Sequence, residues 1–384
     1  MKCSLTNVVA VTTLALAGTA CAGDGGSADD PIKVGSINGI TGPFQAPEVP
    51  QAVRAVFEEV NKAGGIGGRR LELVSKDDAM NPQRSTEVAL ELLETENVVA
   101  LVGSSSGVDC GLNRTTYSNA GVVSVPAVGM DTACFTSPNI APVNPGPSKL
   151  MTTMLYYASE TLKNDNVCLY YTVLPGSRGD IDAAVKEWTD ITGKELTVKD
   201  ISVGEGDPTP YLVAAKAAGC QAILYNAAVG PWFAQAQAQG MRDVDFIMGA
   251  GGYTDANAKV IPDGVNVYAG TEWQPYTDET LPGNKRWAKI VNSNKIRKTA
   301  FSQGAVMSAD LFVQVLKTIK GDITRESVTE AFKSMRPIRY PMVGTSWIFG
   351  PGDAHSPIQG SRFVKVENRR WRVLSEGFIV PGKN

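Results

Sequence analysis

The alternation of short apolar runs with longer segments of helical periodicity constrains the fold of this chain more than any other feature. Four apolar runs of strand length occur at 32–38, 70–76, 98–103 and 122–128. After the first run, apolar residues from Val49 to Val60 recur every three or four positions, as on the buried face of a helix. Gly64 and Gly65 end this helix, and Asn81 followed by Pro82 predicts the start of the next. Repeated strand–helix units of this kind predict a parallel sheet covered by helices on both faces.

A second run of the same kind follows the turn-forming sequence Asn144-Pro145-Gly146-Pro147. Its predicted strands lie at 167–172, 196–201, 222–226, 246–249 and 265–269. Its predicted helices lie at 150–162 and 181–191. The tail differs, because it contains two amphipathic helices, at 301–319 and 324–335, and a hairpin at 362–374. A chain of 384 residues also exceeds one ordinary core. We therefore expect an α/β protein with two Rossmann-like lobes, each built on a parallel sheet.

The first 20 residues have the features of an export signal, with Lys2, an apolar run over 8–17 and small residues before Cys21. They resemble the lipobox of bacterial lipoproteins, although Gly18 stands where that family usually has Leu. The resemblance implies lipidation of Cys21 and a lipid-anchored linker over 21–30. The alternative is a secretory signal cleaved nearby, with an ordinary Cys21. We expect an exported protein, either a lipoprotein on the outer face of the cell membrane or a periplasmic protein.

Four cysteines remain once Cys3 and Cys21 are set aside, namely Cys110, Cys134, Cys168 and Cys220. An even number of cysteines in an exported protein predicts disulfides. Of the three possible connectivities we prefer Cys110–Cys134 with Cys168–Cys220, because each pair would lie within one lobe. A zinc site is disfavoured, since no CxxC occurs and the chain has a single His. No metal or other cofactor is expected.

Four segments of the N-terminal part occur in an ordered series. They are Ile32-Lys33-Val34-Gly35 with Thr41-Gly42-Pro43, then Asn61-Lys62-Ala63-Gly64-Gly65-Ile66, then Asp77-Asp78 followed by Pro82, and finally Val102-Gly103-Ser104-Ser105-Ser106. Together they resemble the branched-chain amino-acid binding family of the type I periplasmic-binding fold. The similarity extends from about residue 32 to the C-terminal hairpin. It implies an extracytoplasmic solute-binding protein that delivers a small molecule to the permease of an ABC importer. A ligand sensor of the same fold is an alternative.

The resemblance also implies three crossings between the lobes, which we place near 144–147, 271–276 and 344–351. Lobe 1 would comprise 31–145 and 275–345, and lobe 2 would comprise 146–274 and 346–384. Bending at this three-segment hinge would close the lobes on a ligand.

Ligands of open α/β sheets sit beyond the carboxyl ends of the strands. In lobe 1 this rule selects the loops Ser104-Ser105-Ser106 and Ala127-Val128-Gly129. Serine hydroxyls and free backbone N–H groups suit a carboxylate, and the resemblance implies that use of both loops. The alternative is that the serines only cap a helix. The family often carries Thr in the second loop, so Gly129 predicts one missing hydroxyl contact.

In lobe 2 the same rule selects the loops at 226–232 and 249–253. Amino-acid binders of the family place an acid in the second loop, where this chain has Gly251. A buried ammonium without a counter-charge costs several kcal/mol, so the sequence argues against a free α-amino acid. It favours a small carboxylate or amide with an apolar or aromatic part, and an amino acid is the alternative. The candidate contacts near these loops are Phe44, Tyr171, Asn226, Trp232, Tyr253 and Trp273, and each aromatic has a core position as its alternative.

One enzyme motif also matches, since Gly103-Ser104-Ser105-Ser106-Gly107 fits the G-x-S-x-G nucleophile elbow after a strand. A serine hydrolase would use Ser105 with His355 and an acid such as Asp310 or Asp322. Against this alternative, consecutive serines match the pattern easily and no HGGG-type segment precedes them. We therefore expect a binding protein without catalytic activity.

The partner classes follow from charge and from the resemblance. The formal net charge is −3 and no Lys/Arg-rich face stands out, which argues against nucleic acid. The expected partners are a small-molecule ligand, a permease and, through the lipid anchor alone, the membrane. The protein is expected to be a monomer.

Overall fold

The computed structural model describes residues 30–43, 45–173, 178–204, 206–226, 229–352, 355 and 358–383. The predicted signal segment, most of the linker with Cys21, and Phe44 lie outside these ranges. Eleven strands in the described part of the chain form two separate sheets. The α/β class and the two-sheet architecture predicted from the sequence are therefore confirmed. None of the described helices combines the length and apolar character that a membrane crossing requires.

The first sheet has four parallel strands in the order β2-β1-β3-β4. These strands are β1 (Ile32–Asn38), β2 (Leu71–Asp77), β3 (Leu101–Val102) and β4 (Ser124–Val125). The last two are shorter than the apolar runs that predicted them. The backbone of Gly103 has a φ of +70°, which ends the extended conformation of β3 directly after Val102.

Helices cover both faces of the first sheet. Three of them follow its strands along the chain: α1 (Glu48–Lys62), α2 (Pro82–Leu90) and α3 (Asp109–Asn119). The Asn81 side chain accepts a hydrogen bond from the Arg84 backbone N–H, so the predicted N-cap of α2 is confirmed. On the face covered by α2 and α3, a disulfide joins Cys110 to Cys134.

The second sheet has seven strands in the order β11-β10-β9-β8-β7-β5-β6. Five of them are parallel: β5 (Val167–Tyr170), β6 (Val198–Asp200), β7 (Ala222–Tyr225), β8 (Asp245–Met248) and β9 (Asn266–Thr271). The other two form the predicted hairpin, which adds antiparallel strands beyond β9: β10 (Arg362–Glu367) and β11 (Arg370–Val373). The sheet is thus mainly parallel, with an antiparallel edge formed by the predicted hairpin.

Alternate residues of the second sheet point to two helical layers. One layer contains α4 (Gly146–Tyr156) and α5 (Arg178–Thr192), and the other contains α6 (Thr209–Ala217), α7 (Val229–Ala238) and α8 (Asp255–Val260). In β7, Leu224 belongs to the apolar cluster under α4 and α5, whereas Tyr225 stacks on Trp232 of α7. A disulfide joins Cys168 of β5 to Cys220, so both predicted pairings are confirmed.

The chain then forms α9 (Lys285–Ser293), α10 (Ala300–Leu316) and α11 (Arg325–Ser334). The expectation that α10 is amphipathic is wrong, because 13 of its 17 residues are buried between α1, α9, α11 and β3. The Ser308 hydroxyl donates to the Val125 carbonyl oxygen and accepts from the Gly103 N–H, which ties α10 to the first sheet. The lone glycine inside this helix, Gly304, lets the Trp273 ring and the Ala127 carbonyl approach closely.

The three predicted crossings are joined to one another by hydrogen bonds. The Asn144 side chain donates to Glu272 Oε1 over 2.7 Å, which joins the first crossing to the second. The Trp347 indole N–H donates to the Pro142 carbonyl oxygen, and the Gln274 N–H donates to that of Met342. These contacts bring the three segments together at one place between the sheets.

Candidate ligand-binding site

A cavity of about 600 Å³ lies between the two sheets, at the carboxyl ends of their strands. Its lining comes from the loops after β4, β5, β7 and β8, from the crossing after β9, and from the first residues of α4, α5 and α10. The volume is that of a typical small-molecule site. The placement also follows the rule that ligands of open α/β sheets bind beyond the strand ends.

The walls of the cavity are mainly apolar. Helix α4 contributes Leu150, Met151 and Met154, and β8 contributes Met248 at its end. Methionine side chains adapt to ligands of different outline, because they are unbranched and polarisable. The walls therefore suit the apolar or aromatic part of a small molecule.

Glu272 is one of two acids that line the cavity, with an exposed fraction of 8%. Its Oε1 atom accepts the hydrogen bond from Asn144, whose amide also holds the Gly129 backbone through Oδ1 and Nδ2. Burial raises the pKa of the Glu272 carboxyl to about 7, although the hydrogen bond from Asn144 acts in the opposite direction.

A second acid, Asp180, lies at the start of α5 and is also 8% exposed. The Thr132 hydroxyl donates to its Oδ1 atom over 2.7 Å. Burial raises the pKa of Asp180, the hydrogen bond from Thr132 lowers it, and the nearby Asp131 raises it. Among the described lining residues there is no Lys or Arg, so neither acid has a cationic partner within the cavity.

Two further polar groups of lining residues have no hydrogen-bond partner in the described part of the chain. They are the Tyr225 hydroxyl and the Trp273 indole N–H, and both side chains are 1% exposed. A buried polar group without a partner costs free energy, and a bound ligand can remove that cost. These two groups are therefore candidate ligand contacts.

The structure brings six of the sequence-predicted site residues into the lining. They are Val128, Gly129, Tyr171, Asn226, Gly251 and Trp273. The Asn226 amide is already engaged, because it accepts from the Thr172 N–H and donates to the Thr172 carbonyl oxygen. It contributes to the shape of the site more than to its free hydrogen-bonding capacity.

The three consecutive serines are buried and are absent from the described lining. The Ser104 hydroxyl accepts from the Ile37 N–H, that of Ser105 donates to Asn38 Oδ1, and that of Ser106 donates to Asp78 Oδ2. All three hydroxyls thus have partners inside the protein. Their use as ligand contacts stays a prediction.

The other predicted contacts lie in packed surroundings outside the described lining. Ala127 is buried against α10, Trp232 stacks on Tyr225, and the Tyr253 hydroxyl is hydrogen-bonded to Thr277. Phe44 lies outside the described residues. For Trp232 and Tyr253 the core alternative describes the observed position, and the use of Ala127, Trp232 and Tyr253 as ligand contacts stays a prediction.

The two glycines that depart from the family pattern differ in the space around them. A Cβ on Gly129 would lie 2.5 Å from Pro142 Cγ and 2.7 Å from the Phe135 ring, so any side chain there would displace these neighbours. A Cβ on Gly251 would meet nothing within 4 Å. Packing therefore disfavours a hydroxyl-bearing side chain at position 129, whereas there is open space for an acidic side chain at position 251.

The argument from Gly251 against an ammonium-bearing ligand loses its premise in the structure. The site does contain acids, Glu272 and Asp180, which come from a crossing and from a helix start. Of the segment 271–276, Trp273 was selected from the sequence as a candidate contact, but the acid beside it, directly after the buried strand β9, was left out. Its position directly after a parallel strand was the sequence feature that could have identified Glu272 as a site residue.

The hydrolase interpretation finds no support in the geometry. The Ser105 hydroxyl donates its proton to Asn38, whereas a nucleophile would donate to a histidine. The His355 ring packs on Phe349 and lies 3.4 Å from the Pro138 carbonyl oxygen. Asp310 is occupied by Arg286 and the Tyr340 hydroxyl.

Comparison with known proteins places this architecture in a family. A family model described as periplasmic binding protein matches residues 31–370. The Leu/Ile/Val-binding protein homolog 1 of Brucella abortus (strain 2308) is 22% identical over 324 residues, which cover 82% of this chain and 85% of that protein. The homolog 3 of Brucella melitensis biotype 1 is 23% identical over 335 residues, or 85% of this chain and 89% of that protein.

Solved structures share the fold. The branched-chain amino acid transporter substrate binding protein LivJ from Streptococcus pneumoniae, in complex with isoleucine, has a TM-score of 0.73 at 17% identity, covering 91% of this chain and 100% of that one. A solute binding protein of an ABC transporter from Rhodopseudomonas palustris HaA2, in complex with p-hydroxybenzoic acid, has a TM-score of 0.73 at 18% identity, covering 92% and 98%. Because the family model spans nearly all of the described chain and both sheets, this chain belongs to the periplasmic binding protein family.

Proposed function

We propose that this protein is the extracytoplasmic solute-binding component of an ABC importer, which captures a small molecule in the cavity between its two sheets. The cavity itself carries the proposal, because it is enclosed by loops from both sheets and by two of the crossings. A site built in this way is completed only when both halves of the molecule contact the ligand. Binding would then be coupled to closure of the halves.

The contacts of the helices fit the expected division into two lobes, with lobe 1 at 31–145 and 275–345 and lobe 2 at 146–274 and 346–384. Helix α10 packs on α1 and β3, while α4 packs on α5 and β9. The hydrogen bonds among the three crossings lie where such a hinge would bend. We propose these segments as the two rigid bodies and the hinge.

The ligand proposed here is a small molecule with an apolar or aromatic part. The side chains of α4 and Met248 would surround that part, and Tyr171, Tyr225 and Trp273 would add aromatic contacts. The Brucella relatives are named for Leu, Ile and Val, and the Rhodopseudomonas protein was solved with p-hydroxybenzoic acid. Both aliphatic and aromatic side groups therefore belong in a first screen.

Delivery to a permease would be helped by attachment to the outer face of the membrane. We propose lipidation of Cys21 as that anchor, a small-molecule ligand and a permease as the partners, and a monomer as the working form. One acyl anchor group with a flexible tether would keep the binding lobes in water. Mass spectrometry of the membrane fraction from cells that express wild-type protein and Cys21→Ser would test the anchor.

The test of binding is a thermal-shift screen over amino acids, aromatic acids, short-chain acids, amides and amines. A ligand at a hundred times its Kd should add about 2.7 kcal/mol to the free energy of unfolding. The variant Gly251→Trp should lose the response, because its side chain has open space in which to enter the cavity. The matched control is Gly377→Trp, whose Cβ also meets nothing within 4 Å and which lies outside the described lining. A panel without any response, or equal responses from both variants, would contradict the proposal.

A further inference from the structure

Glu272 is a buried acid whose negative charge is balanced by one hydrogen bond and by no cationic side chain among the described residues. Only 8% of the residue is exposed, and the hydrogen bond from Asn144 is made to one of its two carboxylate oxygens. No ion pair in the described part of the chain includes Glu272. A buried carboxylate in this state is costly, unless a proton or a cation joins it.

The net charge of the lining points in the same direction. The described lining residues include two carboxyl groups, Glu272 and Asp180, and no basic side chain. A purely anionic ligand would enter a cavity that holds like charges and no counter-charge. A ligand with a positively charged nitrogen would instead complete the electrostatics of the site.

Glu272 is better placed than Asp180 to receive that nitrogen. Asp180 already accepts from Thr132 and lies at the start of the 15-residue helix α5, whose backbone dipoles stabilise a negative charge. Glu272 has neither a second hydrogen bond nor a helix start. It is followed by Trp273, which also lines the cavity, and aromatic faces attract organic cations.

We infer that the ligand carries a basic nitrogen, an ammonium or similar organic cation, and that the Glu272 carboxylate pairs with it at the junction of the crossings. This inference rests on the proposed function and names the charge of the group that the cavity selects. It assigns recognition to a crossing segment rather than to the loop after β8, where Gly251 offers no side chain. It also gives closure a cause, since Glu272 is tied through Asn144 to the Gly129 backbone beside the first sheet.

The experiment uses two matched series of probes, each with one constant apolar group. The aromatic series contains tyramine, L-tyrosine, 4-hydroxyphenylacetamide and 4-hydroxyphenylacetate. The aliphatic series contains 3-methylbutylamine, L-leucine, 4-methylpentanamide and 4-methylpentanoate. Kd values are measured at pH 8 by isothermal titration with the full-length mature protein. We expect an amine or a zwitterion to bind at least tenfold more tightly than the amide and the carboxylate of its series.

The variant Glu272→Gln keeps the shape of the side chain and an oxygen that accepts from Asn144. It should weaken binding of the amine or zwitterion about 30-fold or more, as removal of one member of a buried charge pair does. The matched control is Glu72→Gln, an exposed carboxylate on β2 that lies outside the described lining. It should bind as the wild type does.

A second measurement needs no variant and keeps the test valid if Glu272→Gln folds poorly. The simple amines stay charged from pH 6 to pH 8, whereas burial raises the pKa of Glu272 to about 7. Binding of tyramine should therefore be about tenfold tighter at pH 8 than at pH 6, because the carboxyl must lose its proton to pair. The other titratable groups of the described lining are Asp180 from α5 and the phenols of Tyr171 and Tyr225, and the phenols stay neutral in this range.

The outcomes separate this inference from the proposed function. Preferential binding of carboxylates or amides, or an amine affinity that Glu272→Gln leaves intact, overturns the inference and leaves a solute-binding protein in place. Binding that tightens as the pH falls overturns it as well. If no compound in these series or in the broad thermal-shift panel binds, both claims fail together.

Discussion

Polar groups near the carboxyl ends of the two sheets differ in how completely they are hydrogen-bonded within the protein. At the carboxyl end of the first sheet, the hydroxyls of Ser104, Ser105 and Ser106 all have partners within the protein. At the corresponding end of the second sheet and in the crossing after it, Tyr225 and Trp273 have polar atoms without a partner among the described residues, and Glu272 has a single one.

This difference separates a packed half from a receptive half. Polar groups that already have partners stabilise the fold and gain little from a ligand, whereas unpartnered ones lower the free energy only when a ligand arrives. In our proposal, the second sheet and the crossings therefore hold the recognition chemistry, and the first sheet provides a wall of the cavity. Four predictions test this contrast.

The largest effect is expected from pH, through Glu272. Its pKa is raised from an ordinary 4.5 to about 7, so the folded protein binds a proton that the unfolded chain has already lost. The contribution of this group to stability is complete below about pH 4.5 and is lost as the pH rises through about 7, a loss of about 3 kcal/mol. Urea unfolding of the ligand-free wild type and of Glu272→Gln between pH 5 and pH 8 should show this difference.

The first sheet provides an internal control for that measurement. Burial raises the pKa of Asp109 to about 6, against the hydrogen bonds from Tyr117 and Asn113. Because Asp109 is present in both the wild type and Glu272→Gln, its titration lowers the free energy of unfolding of both proteins equally as the pH rises. Its contribution therefore cancels when the two pH profiles are subtracted. Equal pH dependence in the wild type and in Glu272→Gln would contradict the role given to Glu272.

The next effect concerns Gly129, the glycine on the packed side. The variant Gly129→Thr, which introduces the residue often found in the family, should lower the free energy of unfolding by about 2 kcal/mol. Its Cβ would lie within 2.8 Å of Pro142 and of the Phe135 ring, so these neighbours would have to shift. Chemical denaturation measures the loss, and an unchanged midpoint would show that this loop is less tightly packed than described.

A smaller effect separates two buried hydroxyls. Ser105→Ala should cost about 1 kcal/mol, because it removes the donor to the Asn38 oxygen over 2.8 Å. Tyr225→Phe should leave stability unchanged, since the hydroxyl that it removes has no partner among the described residues. Ligand affinity should respond in the opposite way, so that Tyr225→Phe binds more weakly than the wild type and Ser105→Ala binds equally well. If Ser105→Ala is the variant that weakens binding, the contrast between the two sheets is incorrect.

The smallest effect belongs to Gly251, on the receptive side. Gly251→Thr should change the free energy of unfolding by less than about 0.5 kcal/mol, because a Cβ there meets nothing within 4 Å. When both variants are measured, the same Gly→Thr substitution is compared in the packed loop that contains Gly129 and in the open loop that contains Gly251. A loss as large as that of Gly129→Thr would mean that the second loop is also packed.

Local chemistry made much of the architecture predictable. Three features each depend on residues that are close together in sequence. They are the N-cap at Asn81, the helix end at Gly64 and Gly65, and the hairpin of β10 and β11. Both disulfides were correctly chosen by assigning each cysteine pair to one lobe. The burial of α10 on nearly all sides was missed, because its neighbours α1 and β3 are distant in sequence.

The site was only partly predictable for the same reason. The strand-end rule selected Val128, Gly129, Asn226 and Gly251, because a loop that follows a parallel strand must emerge at that edge of the sheet. It also selected the serines, since a sequence does not reveal whether a hydroxyl has found a partner elsewhere in the fold.

The sequence by itself determined the two-sheet α/β class and indicated the edge of the sheets at which a ligand would bind, because periodicity and strand direction are local properties. It favoured one cysteine pairing out of three, which the structure then confirmed. Only the tertiary structure decided which polar groups face the cavity unpartnered. Glu272 and Asn144 are 128 residues apart along the chain. Their meeting, and the desolvation that gives Glu272 its unusual pKa, arise from the way the crossings pack between the two sheets.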